Sequence, residues 1–480
     1  MDRAESDTIA AIATARGMAG IAVIRISGDR AFEICEKVFS PKSKKKFADI
    51  QANQAVFGEI CSDETDKKNK KIIDEGIAVK FISPHSYTGE DTVELSCHGS
   101  IYIANAVLKS IITSGARLAR AGEFTKRAYL NGKISLTGAE AVGRLIEATN
   151  EIGARVALAQ SRGGLSNAVI AISDQIKQIL SEVYVYIDYP DEDLTDMPPE
   201  LMTEKLGLIK NQLERLLNSY SAGKIITGGI NTAIIGKPNT GKSTLLNMLS
   251  NRDVAIVHDT AGTTRDIVES RVNVGDFTLN LFDTAGIRTT SDEIENIGIG
   301  KAHDKITECG LIIGVFDSGN IIDADDLAII KIMTAQKNLG KNIIALANKC
   351  DTQHAQYSTD LLNLLESKDF EPLAISAKEN KTLSAHSAYD EIKNRLNTLY
   401  NLNAYNLDAG EILTEERQYF EIFEALESIN NAISVLRSGQ TQDIAGLDLE
   451  LAAASLDRCD SKSLSEDIVD RIFRNFCVGK

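Results

Sequence analysis

The pattern of hydrophobic and polar positions changes texture three times along the chain. Up to about residue 130, short β-type runs alternate with helical stretches. Ile21-Ala22-Val23-Ile24-Arg25-Ile26 reads as a strand stopped by Ser27-Gly28-Asp29, and Ile77 to Phe81 and Thr92 to Leu95 read as two more. From about 133 to 222 the pattern is almost wholly helical, broken by Pro190, Pro198 and Pro199 around an acidic turn. Leu201 to Leu217 carries apolar residues at helical spacing. From 230 to about 380, apolar runs ending in Gly or Asp alternate with helices: Thr232 to Ile235, Leu279 to Phe282, Leu311 to Phe316, Ile343 to Ala347 and Leu373 to Ile375. Runs that are apolar at every position need cover on both faces, which predicts a mostly parallel sheet between helix layers. Val268 to Asn273 and Phe277 to Phe282, joined by Val274-Gly275-Asp276, read as its one hairpin. Beyond about 390 the pattern is helical again, and Tyr419, Ile422, Leu426, Ile429, Ile433 and Leu436 share one helix face.

These textures predict a multidomain α+β and α/β chain. An α+β domain spans residues 1–130 and a helical domain begins at 131–224. An α/β domain over 225–390 is inserted into it, and 391–480 completes the helical part. The 480 residues suit about three domains. No stretch approaches the ~20 apolar residues of a membrane helix, and the N-terminus lacks a cationic start with an apolar run. Seven cysteines, an odd number without a CxxC pair, disfavour a disulfide scaffold and suit a reducing cytoplasm. A net charge of -16 excludes a surface that coats nucleic acid throughout, so any RNA contact must be local. Lys42, Lys44, Lys45, Lys46, Lys67, Lys68, Lys70 and Lys71 are candidates, although a solvated loop beside a strand is the better account of them.

The candidate chemistry lies in the α/β region. Gly236-Lys237-Pro238-Asn239-Thr240-Gly241-Lys242-Ser243 has the spacing of a phosphate-binding loop between an apolar strand and the helix Thr244 to Leu249. Glycines let backbone N–H groups curl around phosphate oxygens, and the helix N-terminus adds positive potential. Lys242 would reach the β- and γ-phosphates and Ser243 would hold Mg²⁺. Such a pattern arises by chance on the order of once per fifty chains this long, so the other motifs decide. Asp283-Thr284-Ala285-Gly286 follows a strand, with Asp283 for the Mg²⁺ shell and Gly286 for the γ-phosphate. Asn348-Lys349-Cys350-Asp351 follows another, and the Asp351 carboxylate can accept from guanine's ring N–H and amino group. Adenine has no such donor pair, so the nucleotide is GTP. Ser376-Ala377-Lys378 supplies the last guanine loop. Asp259 to Asp266 supplies the effector loop, with Thr263 near the nucleotide and Thr264 as second Mg²⁺ ligand. Ile287 stands where Ras-type GTPases place a water-orienting Gln, so either hydrolysis is lost or another group serves, and Asp292, Glu293 and Glu295 follow as candidates.

End to end, the chain resembles the MnmE (also called TrmE) family of tRNA-modification GTPases. Beyond the P-loop motifs, the likeness rests on Asp7 to Thr14, Gly20 to Gly28, Ser86 to Leu95 with Cys97-His98-Gly99, Gly122 to Ala128, Leu130 to Lys133, Ile187 to Asp193 and the terminal Phe476-Cys477-Val478-Gly479-Lys480. The resemblance implies an N-terminal α+β domain that dimerises and binds 5-formyltetrahydrofolate or a related folate. Arg25, Glu94, Lys133 and Lys480 match the folate-binding residues. It implies a helical bundle domain with an inserted P-loop, Ras-like G domain. It implies K⁺ bound by Asn239 with the loop containing His258, Thr260 and Thr263, Glu295 as catalytic glutamate, and Cys477 as an essential cysteine. It also implies a homodimer, the FAD protein MnmG (GidA) as hetero-oligomeric partner, and tRNA as substrate. The reaction would place a (carboxymethyl)aminomethyl group on carbon 5 of the wobble uridine.

Two other readings stay open on the residues. One is a switch GTPase that binds ribosomal RNA, as Era-like factors do. The other is a dimeric GTP-hydrolysing scaffold without folate.

Overall fold

The computed structural model describes residues 7–43, 46–62, 71–188, 198–250, 270–282, 306–351, 355–383, 386–460, 466–474, 476 and 479. The chain divides into two compact units. One comprises residues 1–143, 160–209 and 427–480, and the other 144–159 and 210–426.

The first unit holds a sheet of β1 (Ile9–Ile12), β2 (Ile21–Ser27), β3 (Phe39–Pro41), β4 (Ala55–Cys61), β5 (Ile72–Phe81), β6 (Thr92–His98) and β7 (Arg117–Leu118), in the order β3-β4-β5-β6-β2-β1-β7. All pairs are antiparallel except β1 with β7. The three predicted strands are present, and β5 and β6 run further than their apolar cores suggested. β1, β3, β4 and β7 went unread because they are short, or carry Gly and Glu among their apolar residues, as in Phe57-Gly58-Glu59. Alternation explains the packing. Ala22, Ile24 and Ile26 of β2 point to the core with Val93 and Leu95 of β6. Helices Ala31–Val38 and Ile101–Thr113 cover that face through Ile34, Val38, Val107 and Ile111. The intervening positions, including Arg25 and Glu94, point the other way.

Helix Gly164–Asp188 of this unit packs along helix Gln442–Asp460. Asp460 is buried at that contact and accepts from the Thr137 and Ser166 hydroxyls. Three donors, the Thr137 amide included, satisfy a carboxylate that burial alone would make costly.

The second unit holds β8 (Ile230–Ile235), β9 (Ser270–Val274), β10 (Phe277–Phe282), β11 (Leu311–Asp317), β12 (Asn342–Asn348), β13 (Leu373–Ser376) and β14 (Lys381–Thr382), in the order β14-β13-β12-β11-β8-β10-β9. Strands β13, β12, β11, β8 and β10 are parallel, as the unbroken apolar runs required. Both faces are buried. Leu311, Ile313 and Val315 meet Leu245, Leu249, Ile392 and Leu396 on one side. Ile312 and Phe316 meet Ile330, Met333, Leu361 and Leu365 on the other. The predicted hairpin is β9–β10, but its loop is shorter than expected. Val274 pairs with Phe277, leaving Gly275-Asp276 as a two-residue turn with Gly275 at φ 58°. It is not the one antiparallel pair, because β14 adds a second edge against β13.

The predicted stripe on helix Glu416–Arg437 is core-facing, with Ile422, Leu426, Ile429, Ile433 and Leu436 buried. Tyr419 is half-buried, its ring 4.8 Å from that of Tyr220.

Candidate functional site

The C-terminal ends of the parallel strands set the candidate nucleotide site. β8 lies between β10 and β11, so the chain leaves it in one direction for β10 and later crosses back to β11. Ligands of open α/β sheets bind at such a switch point. The loop Gly236–Gly241 leaves β8 there and leads into helix Lys242–Ser250. A Cβ on Gly236 would lie 2.4 Å from the Val315 carbonyl oxygen, and one on Gly241 2.2 Å from Asn348 Nδ2. Gly241 also has φ +98°, and Asn239 takes a left-handed φ of 64° that asparagine tolerates. The loop is therefore a close-packed backbone cradle.

Three side chains hold it. Asn348, at the end of β12 and buried, donates Nδ2–H to the Thr240 carbonyl at 2.8 Å. Its Oδ1 accepts from the Ala377 amide at 2.9 Å. One amide thus ties the phosphate loop to the Ser376-Ala377-Lys378 loop. The Lys242 ammonium donates to the Gly236 and Lys237 carbonyls, 2.7 Å each, and burial lowers its pKa. A phosphate in this loop would offer it charged acceptors, which bind an ammonium more strongly than carbonyls do. Lys237, to which the sequence analysis assigned no role, donates to Asp323 at 2.7 Å and Asp326 at 2.6 Å. Burial lowers its pKa, but the two carboxylates outweigh that and raise it overall. The same two aspartates form the capping box of helix Ala324–Asn338. No local signal in the sequence links Lys237 to residues 86 and 89 positions away.

Lys349, with φ 66°, donates to Asp317 Oδ2 at 2.6 Å, a second pair that was not foreseen. Asp351, Asn239, Ser243 and Thr244 are exposed, open to ligands. The Ser376 hydroxyl accepts from the Glu379 amide at 3.3 Å. Thr263, Thr264, His258, Thr260, Asp283, Gly286 and Glu295 lie outside the described residues.

In the first unit, β2 and β6 set Arg25 directly opposite Glu94. Arg25 donates through Nε at 3.0 Å and Nη2 at 2.7 Å, both to Oε1. Glu94 Oε2 is left as an open acceptor among the described residues. The guanidinium lies over the rings of Tyr87, 5.3 Å, and Phe124, 5.6 Å. Neither ring was assigned a role from sequence, although both fall inside the motifs quoted above. Burial raises the Tyr87 phenol pKa, against its hydrogen bond with Thr125.

The loop carrying Tyr87 is fastened by polar side chains. Ser27 donates to Glu90 Oε2 at 2.7 Å, Arg127 donates to both Glu90 oxygens at 3.1 Å, and Asn131 donates to the Thr88 carbonyl at 2.7 Å. Lys133 donates to the Pro84 carbonyl at 2.9 Å, and its Cγ lies 3.2 Å from an ideal Gly89 Cβ. The structure thus brings Arg25 and Glu94 into contact and sets Lys133 on the same loop. Lys480 and Cys477 lie outside the described residues, but their neighbours are anchored. A Cβ on Gly479 would lie 2.3 Å from the Ile12 carbonyl oxygen, and the Phe476 ring sits 5.2 Å from that of Phe473.

A family described as GTP-binding protein TrmE N-terminus matches residues 8–133, and the MnmE helical domain matches residues 136–477. The tRNA modification GTPase MnmE of Acetivibrio thermocellus is 37% identical over 476 residues, covering 99% of this chain and 100% of the relative. That of Clostridioides difficile is 35% identical over 474 residues, covering 99% of each. A crystal structure of an Aquifex aeolicus Era variant bound to GDP and aluminium fluoride is 26% identical. It covers 42% of this chain and 66% of its own, with a TM-score of 0.28. Matched end to end by relatives of one name, the chain belongs to the MnmE (TrmE) family of GTPases that act in tRNA modification.

Proposed function

We propose that the chain is a K⁺-activated GTPase of the cytoplasm that uses a folate one-carbon unit. With the FAD protein MnmG it adds a (carboxymethyl)aminomethyl group to carbon 5 of the wobble uridine of certain tRNAs, and it forms a homodimer through its N-terminal domain. The observation that carries this reading is that one chain holds both an Asn348-locked phosphate loop and a Glu94 carboxylate with one oxygen saturated and one open.

The residues present fit the groups this requires. The cradle left by Gly236 and Gly241 would be filled by any Cβ, and Asn239 and Ser243 offer exposed hard oxygens. Mg²⁺ and K⁺ supply positive charge against the phosphate oxygens when bound, and the folate supplies the one-carbon unit. Ser243 and Thr264 would hold Mg²⁺. Asn239, with His258, Thr260 and Thr263, would hold K⁺. Thr240, Gly241, Lys242 and Thr244 bind phosphate, and Asp283 and Gly286 sense its γ end. Asn348, Lys349, Ser376, Ala377 and Lys378 shape the guanine pocket around Asp351, whose carboxylate accepts two guanine N–H bonds. Glu295 orients the attacking water. In the folate site, Arg25 fixes the Glu94 carboxylate so that Oε2 can accept from the pterin amino edge. Lys133 and Lys480 meet carboxylates of the glutamyl tail. Cys477 acts as a nucleophile or shuttle.

Steady-state GTP turnover in KCl against NaCl, with 5-formyltetrahydrofolate titrated separately, tests the proposal. Turnover should be faster in K⁺ by about 10- to 100-fold, and Glu295→Ala should abolish it. Equal rates in the two salts would remove K⁺ from the account. An intact chain that binds no formyl-tetrahydrofolate would leave a GTPase scaffold instead.

A further inference from the structure

We propose that a cationic cavity formed by Arg120, Lys126 and Arg474 binds a backbone phosphate of the tRNA. The cavity, about 320 Å³, lies where the loop before helix Glu123–Leu130 meets the end of helix Glu466–Phe473. Its wall also carries Glu123, Asp470 and Phe473.

Accounting for charge shows why it suits an anion. Glu123 is engaged by Arg117, at 2.9 Å, and by Arg127, at 3.2 Å, two guanidiniums that also pair with Asp7 and Glu90. Lys126 pairs with Asp470. Arg120 and Arg474 act on Asp470 through charge alone, and neither guanidinium has a hydrogen-bond partner among the described residues. The lining therefore carries three cations against two carboxylates, and Arg117 and Arg127 behind it balance Asp7 and Glu90, which leaves one net positive charge with both arginine heads exposed. The platform beneath them is rigid. Phe473 is buried, with ring centroids 6.2 Å from Tyr129 and 5.2 Å from Phe476. A Cβ on Gly122, whose φ is +65°, would lie 2.5 Å from the Phe473 carbonyl oxygen. The bases of the arginines are thus held while their heads stay exposed.

Two guanidinium forks and an ammonium match phosphate oxygens. Among the described residues, Arg25, Glu94, Lys133 and the phosphate loop of the two sites above take no part in the lining. A chain with net charge -16 repels RNA as a whole, so a substrate RNA needs a local cationic hold of this kind. The inference rests on tRNA being the substrate.

The test is an anisotropy titration of a tRNA transcript with the full-length chain across a KCl series. The variants are Arg120→Ala/Arg474→Ala and Arg120→Lys/Arg474→Lys. The alanine pair should weaken binding about tenfold and reduce the slope of log K against log salt by about 1 to 2. The lysine pair should keep most of the slope. GTP turnover without tRNA and the thermal melt should match wild type in both. An unchanged slope and affinity in the alanine pair overturns the proposal. Inorganic phosphate, titrated by calorimetry, separates the sources: loss of phosphate binding with tRNA binding intact would make this a free-anion site and overturn the RNA assignment. A wild-type chain that binds no tRNA at all would instead overturn the premise that this chain holds the RNA itself, and the proposal with it.

Discussion

At the scale of single residues, Asn348 shows what sequence reading can and cannot reach. Its place after a strand marked it as a guanine-loop residue. Its partners, Thr240 and Ala377, lie 108 and 29 positions away, and no local pattern carries such pairings. Asn348→Ala should leave a buried Ala377 amide without an acceptor and free the phosphate loop. We expect a loss of about 2–4 kcal/mol in chemical denaturation together with weaker GTP binding. Arg25 and Glu94 were legible as residues, but their pairing depends on the β2–β6 register and was not.

The Asp7 and Glu123 carboxyls give a pH dependence. Asp7 is held below its ordinary value chiefly by its hydrogen bond from Arg117. Burial pushes Glu123 up, but Arg117, the Arg120 amide and the Arg127 charge outweigh it and hold it below 4.5. Folded values below unfolded ones mean that both carboxylates stabilise the fold at neutral pH. That contribution is complete above about pH 4.5 and is lost as pH falls through the folded values. Urea midpoints measured from pH 6 to 2.5 should fall for wild type and fall less steeply for Glu123→Gln. Identical slopes would exclude Glu123 as a source.

Cysteine accessibility is also a residue-scale matter. Cys35, Cys61, Cys97, Cys309 and Cys459 are buried, whereas Cys350, in the proposed guanine loop, is half-exposed. Burial raises its thiol pKa, so alkylation at pH 7.5 should be slower than for free cysteine but faster than for those five. Bound GTP should slow it further, as read by mass spectrometry of the peptides.

Among elements, the parallel strands and long helices were the most legible, because their apolar patterns are long and consistent with one period. β1, β3, β4, β7 and β14 were not, since strands this short, or of mixed polarity like β4, carry little periodic signal. Close approaches between elements were invisible too. Gly223 lies inside helix Pro199–Gly228, where glycine costs ~1 kcal/mol relative to alanine. Propensity alone predicts that Gly223→Ala stabilises. A Cβ there would lie 1.9 Å from the Leu413 carbonyl oxygen, so the clash decides the sign. The variant should lose about 1–3 kcal/mol in thermal or urea unfolding. A gain would mean that the Leu413 segment can shift aside.

At the scale of the whole molecule, fold class and family were the most legible features, because several motifs in fixed order constrain each other more than any one does. Family membership now discards the ribosomal-RNA switch reading as the account of this chain, since full-length MnmE relatives span its N-terminal and helical parts as well as its P-loop motifs. Among the described residues, no helix is long and apolar enough to cross a membrane. The central claim is that GTP turnover and folate binding serve one tRNA reaction. Its most direct test is mass spectrometry of nucleosides from total tRNA. Cells would carry the intact gene, no gene, a Glu295→Ala copy or a Glu94→Gln copy. The account predicts that the 5-substituted wobble uridine is present only with the intact gene, and that its loss in both point variants occurs with protein levels unchanged. An unaltered nucleoside profile in the cells lacking the gene, with no second enzyme for the same position, would contradict it.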